Sequence, residues 1–224
     1  FRTSTRSSYG LVTSAGRLVL AHVVELPKVS ADGPLSVTGG VKAEELLGMT
    51  ENTDPIRGER VIAAIDMPST DDGGQLVPLA LGTRNGVVKR WNRESPTTMD
   101  SWSVIDLKDD DEVLAAAEAR DEDRLVFVST DSSLLTFEAK NVRPQGRTAG
   151  GMAGIRLAEG CSVAAFAVVP DGKVTWNYEE GENGLFSASG AVVLTVAGDS
   201  EALPSTENGA AKVTPLEMYP TKGR

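Results

Sequence analysis

Cysteine and histidine each occur once in these 224 residues, as Cys161 and His22. A lone cysteine cannot close an internal disulfide, which suits a reducing compartment, and the pair cannot build a zinc site. The histidine sits mid-run between Ala21 and Val23. With no Gly-x-Ser-x-Gly elbow to serve, nucleophile-plus-base catalysis has no footing. Both residues read as packing side chains, Cys161 as a half-buried one. No Gly-x-x-x-x-Gly-Lys-Ser/Thr loop cradles a nucleotide and no acidic loop has calcium-binding spacing, so no cofactor or metal is expected. Asp109-Asp110-Asp111 reads as a solvated turn between strands. There is no run of about eighteen apolar residues to cross a membrane, and the first eight residues lack the apolar segment of a signal peptide. The expectation is a cytoplasmic chain with no membrane partner.

Net positive charge is also lacking. Against 22 Lys and Arg stand 32 Asp and Glu, a balance of −10. On average this disfavours strong, indiscriminate nucleic-acid binding, since phosphate contacts need cations. The average conceals segregation. Acid gathers in Asp66 to Asp72, Asp106 to Asp111 and Glu118 to Asp123, whereas two stretches carry cations and no acid. The first holds Arg84, Lys89, Arg90 and Arg93, and the second holds Lys140, Arg143, Arg147 and Arg156. Local positive surfaces on an acidic body follow.

What the chain does have is an internal echo of fifty residues. Ile105, Leu107, Val113 and Ala115 recur as Ile155, Leu157, Val163 and Ala165. Self-similarity at this period marks a supersecondary unit that stacks on its neighbours, as propeller blades do. Hairpin signals fit. Val77 to Trp91 turns at Asn85-Gly86, which tolerates positive φ, and Leu125 to Phe137 turns at Asp131-Ser132. Tyr9 to Val24 is a further pair of β-rich runs, and Val192 to Val196 pairs with Ala210 to Thr214 across a longer loop. Val113 to Ala117 favours helix on propensity, but its repeat partners are β-branched and a strand is expected. Val41 to Leu47 allows one helical turn. The expected fold is all-β, a propeller-like array in a single domain with approximate units 1–58, 59–111, 112–159 and 160–224. Residues 71–74, 179–184 and 199–205 read as loop extensions.

Arg143-Pro-Gln-Gly-Arg-Thr-Ala-Gly-Gly-Met-Ala-Gly-Ile-Arg-Leu157 resembles the blade-linking motif of the C-terminal propeller, or β-pinwheel, found in the A subunits of bacterial DNA gyrase and topoisomerase IV. Thr83 to Arg90 resembles that family's hairpin, and Lys212 to Arg224 its hairpin-to-linker passage. No Trp-Asp dipeptide occurs, so the repeat does not resemble WD40. The resemblance implies four-stranded blades that exchange strands, in a ring left open by about four blades, and a chain that is a cut-down piece of a longer protein. It also implies an accessory domain that binds or bends double-stranded DNA on its outer rim through phosphates. Its further partners would be the rest of its own polypeptide and the ATPase subunit. The family's basic Gln-Arg-Arg-Gly-Gly-Lys-Gly box is missing; the nearest segment is Val37 to Ala43, with one cation. That departure points to a topoisomerase IV-like or divergent gyrase-like parent.

The family's cleavage tyrosine follows an arginine, whereas Tyr9, Tyr178 and Tyr219 follow Ser8, Asn177 and Met218. No catalysis is therefore expected of this chain, and ATP and Mg would serve other domains of a bacterial, nucleoid-associated enzyme. Arg84, Lys89, Arg90, Arg93, Lys140, Arg143, Arg147 and Arg156 are the candidate phosphate contacts. A protein-interaction propeller that binds no DNA is the alternative, favoured by the acidity.

Overall fold

In a computed structural model of the chain, the described residues are 3–26, 40–47, 58–67, 76–108, 110–180, 186–196 and 209–221. Most of the acidic stretch to Asp72, Asp109, the insertions at 71–74 and 199–205, and the first residues of Val37 to Ala43 lie outside them.

The regular secondary structure of the described residues is almost wholly strand. β1 (Ser8–Thr13) and β2 (Arg17–His22) form a hairpin, followed by the single helical turn α1 (Ala43–Leu46) and by β3 (Val61–Met67). β4 (Leu79–Thr83) and β5 (Val87–Trp91) form the second hairpin, then come β6 (Ser101–Ser103) and β7 (Val113–Glu118). The third hairpin, β8 (Arg124–Ser129) with β9 (Leu134–Glu138), precedes the short β10 (Pro144–Gln145) and β11 (Met152–Ala153) and then β12 (Val163–Val169). β13 (Asn177–Glu180) pairs with β14 (Phe186–Ser189), and β15 (Val192–Val196) with β16 (Ala211–Pro215). The β13–β14 hairpin takes in the start of the 179–184 segment, which sequence alone assigns to a loop extension. Val113 to Glu118 is a strand despite its helical propensity, because Leu79 to Thr83 offers it an antiparallel ladder to complete.

Each of the first three sheets takes its hairpin from one sequence unit and its flanking strands from the next. The first has the order β3-β1-β2-β6, and the second β10-β5-β4-β7 with β11 also on β5. The third is β12-β8-β9, joined by a parallel bridge from Thr221 to Thr136 of β9. The units expected from sequence therefore do not coincide with sheets.

The echo is the crossing itself. Val104 N–H donates to Gly16 O, and fifty residues on Gly154 N–H donates to Gly86 O. Ser14 O accepts from Val113 N–H as Arg84 O does from Val163 N–H. Each crossing segment lays its Ile and Leu over the hairpin turn of the preceding sheet. Both turns need glycine: φ is +73° at Gly16 and +82° at Gly86, and a Cβ there would sit 2.6 Å from Ile105 and 2.8 Å from the Ile155 carbonyl oxygen.

Stacking of the sheets makes the core. Val12 and Leu18 of the first meet Leu79, Leu81 and Trp91 of the second, with Trp102, Val104 and Ile105 of the crossing segment beside them. On its other face the second sheet gives Ala80 and Val88 to Leu125, Phe127 and Phe137 of the third. Phe166 packs on Phe127 with ring centroids 4.7 Å apart. It lies against Gly82, where an added Cβ would fall 2.2 Å from the ring. Gly82→Ala must push that ring aside, and a loss of about 1–3 kcal/mol in chemical denaturation is the expected outcome.

Candidate nucleic-acid interface

β7 packs against β3 on one side and β12 on the other, so these strands lie along one side of the stacked sheets. The opposite sheet edges, β6 and β10 with β11, form the side that corresponds to the rim of a propeller. The segment from Ala139 to Leu157 runs along the rim edge of the second sheet: a 3-10 turn at Ala139–Asn141, then β10 parallel to β5 and β11 antiparallel to it. The crossing that completes a neighbouring sheet thus also carries Lys140, Arg143, Arg147 and Arg156 outward.

Lys140, Arg143 and Arg156 are exposed and Arg147 is half-buried. Lys140 pairs with Glu138, whose carboxyl it holds below the ordinary glutamate range by its hydrogen bond. Among the described residues Arg143, Arg147 and Arg156 make no ion pair. Cations without an ion-pair partner along a sheet edge are what a phosphate backbone requires.

The other acid-free stretch behaves differently. Lys89, Arg90 and Arg93 are 0%, 1% and 4% exposed, so the rim position expected of them is corrected. β5 is covered on both faces by neighbouring sheets, and its long cations are consumed by backbone carbonyls. Arg90 donates to Ala139 O (3.1 Å), Val142 O (3.2 Å), Ala119 O (3.0 Å) and Asp121 Oδ1 (2.7 Å). Arg93, in the left-handed region at φ +62°, ties Glu118 (2.6 Å) to the Asp66 carbonyl. Lys89 Nζ donates to Arg147 O (3.0 Å) and Ala149 O (2.6 Å). Arg84 stays exposed at a hairpin tip, where it shares Glu112 with Arg60.

Burial pulls the Lys89 ammonium down to about 8, against the opposing charge of Asp106. Below that value the folded and unfolded chains both carry the proton. From about 8 up to the free value of 10.5 the unfolded chain binds more protons, so stability rises with pH through this window. Urea midpoints taken at about pH 7.5 and 9.5 should show the rise, and Lys89→Met should lose that component of it.

Further placements depart from the sequence reading. Asp111 is buried, and its Oδ1 accepts from Asn85 N–H and Glu112 N–H, each at 2.9 Å, which pins the β4–β5 turn. It is not part of a solvated turn. Lys108, which acid flanks and which lies in neither acid-free stretch, is exposed and lines a cavity of about 170 Å³ with Gly150 of the rim segment. His22 is exposed at the end of β2, with Nδ1 2.9 Å from Ser8 Oγ.

The family model described as the DNA gyrase C-terminal domain, beta-propeller, matches residues 123–170 and 205–224. Over those two segments the chain is similar to the DNA gyrase C-terminal β-propeller. It is 26% identical to the DNA gyrase A protein of Deinococcus deserti over 100% of this chain and 24% of that protein. It is 27% identical to the Staphylococcus epidermidis counterpart over 99% of this chain and 21% of that one. The chain thus spans about a quarter of the length of these relatives. Among solved structures, the C-terminal domain of DNA topoisomerase IV superposes with a TM-score of 0.58 at 18% identity, covering 99% of this chain and 73% of that one. A DNA gyrase A C-terminal domain gives 0.51 at 21% identity, covering 83% of this chain and 55% of that one. These likenesses agree on an all-β pinwheel. No helix among the described residues is long and apolar enough to cross a membrane.

Proposed function

We propose that this chain is a gyrase-type C-terminal propeller, an accessory domain that binds or bends duplex DNA along its outer rim and presents it to the catalytic core of a bacterial type IIA topoisomerase. The observation that carries the reading is the rim segment from Ala139 to Leu157, where Arg143 and Arg156 are exposed and Arg147 is half-buried, all three without ion-pair partners among the described residues. Cations on a curved edge contact phosphates and not bases, so preference comes from how easily a sequence bends. Strand cleavage, ATP and Mg belong to other parts of the enzyme in this reading, and its setting is the bacterial cytoplasm at the nucleoid. The missing basic box favours a topoisomerase IV-like or divergent gyrase-like parent.

The charge of −10 sets the strength. Repulsion between an acidic body and DNA keeps binding weak, detectable at low salt and fading near a physiological Debye length of about 8 Å. Fluorescence anisotropy of a labelled linear duplex, titrated with this chain across a salt series, tests the reading. Affinity that falls linearly in logarithmic coordinates supports it. Absence of binding at low salt moves the protein-interaction propeller ahead.

A further inference from the structure

Three features outside the rim cations stand out: the exposed apolar face of β15 and β16, the cavity beside Trp102, and the buried ammonium of Lys89. The first shows nothing of what covers it. The other two belong together. Arg147 and Thr148 form one wall of that cavity of about 450 Å³, opposite Met99, Trp102, Ser103 and Asp106. The segment that bears them, Gly146 to Gly151, has few backbone bonds of its own. Ala149 N–H donates to Gly146 O at 3.3 Å, and Asp106 N–H donates to Ala149 O at 3.2 Å.

Lys89 supplies what the segment lacks. Its Nζ reaches from β5 beneath the linker and donates to the carbonyls of Arg147 and Ala149, one on each side of Thr148. The side chain is fully buried. Room above it is as tight: a Cβ on Gly151, at φ +80°, would lie 3.2 Å from Lys89 Cβ and 2.7 Å from Val88 O. Charge-assisted donation to two carbonyls fixes both peptide planes, and with them the direction in which Arg147 leaves the backbone. The charged group acting on the ammonium is Asp106, from the loop after β6, while Arg147 offers it only a main-chain carbonyl. A hydrophobic side chain fills the equivalent place in other hairpins: Val19, three residues beyond the turn residue Gly16, and Leu135, three beyond Ser132. Neither of those hairpins has a linker of this composition laid over it among the described residues.

We infer that Lys89 is a positioning residue for the DNA rim: it clamps the Arg147 to Ala149 linker from below and so aims the Arg147 guanidinium at the phosphate backbone. The inference rests on the rim reading for its DNA part, while the clamp can be judged without DNA.

The test uses the chain with Lys89→Met, which keeps most of the side-chain length and loses every side-chain donor, and Lys89→Arg, which keeps donors. In hydrogen exchange, Lys89→Met should speed the Asp106 and Ala149 amides by about tenfold or more while Leu81 and Phe127 stay protected, and Lys89→Arg should restore much of the protection. In duplex titrations, Lys89→Met and Arg147→Ala should each lower the salt slope by about one, and the double variant by about one and not two. A merely structural lysine would not give that non-additivity. Unchanged exchange in Lys89→Met, or additive slopes, overturns the inference. If the unaltered chain binds no duplex, the rim reading fails and the clamp stands or falls on exchange alone.

Discussion

Arg90→Ala is expected to cost about 3–5 kcal/mol of folding stability, because removing one partner of a buried charged network leaves the others unpaired. Three main-chain carbonyls, of Ala119, Ala139 and Val142, lose their donor at once. Those carbonyls belong to the junction of the second and third sheets, where Ala119, Ala139 and Val142 are themselves fully buried. Water cannot replace the guanidinium without opening that junction. Against a total of about 5–15 kcal/mol for a domain, the loss is large enough to shift the urea midpoint far while leaving the slope unchanged. Arg84→Ala, at an exposed tip paired with Glu112, should cost less than about 1 kcal/mol. Equal midpoints for the two variants would refute the burial of Arg90.

How much of this was legible differs by element. Asn85-Gly86 announced the β4–β5 hairpin, since few dipeptides accept positive φ at the turn. Ile105, Leu107 and their echoes announced a repeat. Contiguous sequence cannot say, however, which sheet a segment joins, so the echo looked like a blade when it is the crossing between two. The misplacement of Lys89 and Arg90 has a separate physical cause. Alternation separates a buried from a solvated face only when one face of the sheet meets water. β5 meets neighbours on both faces, and Val88, Lys89, Arg90 and Trp91 are all buried. A signal was present in the repeat register: four residues past the turn stand Leu20, Arg90 and Thr136, of which Thr136 is buried as well. Position within the hairpin outweighs local charge. Along the rim the opposite holds. Arg143, Arg147 and Arg156 lie in a glycine-containing segment with only two short strands, so the exposure of Arg143 and Arg156 and the partial exposure of Arg147 follow from the lack of a covering layer.

The second large effect concerns those three arginines. Converting Arg143, Arg147 and Arg156 together to Glu should flatten the salt dependence of duplex binding by about 3 in slope, one for each phosphate released. Affinity should fall for every duplex sequence alike, because cations on phosphates carry no base information. Folding stability should barely change, since none of the three makes an ion pair among the described residues. Lys140 is left out because Glu138 already neutralises it. The same reversal at Lys108, a cation that acid surrounds, should act more weakly.

Hydrogen exchange of the chain with and without a duplex at low salt most directly tests the claim that DNA lies along this rim. Slowing concentrated between Ala139 and Leu157, with the β4–β5 tip at Arg84 little changed, is the result expected. Protection centred on that tip, or on the exposed β15–β16 face instead of the rim segment, would contradict it.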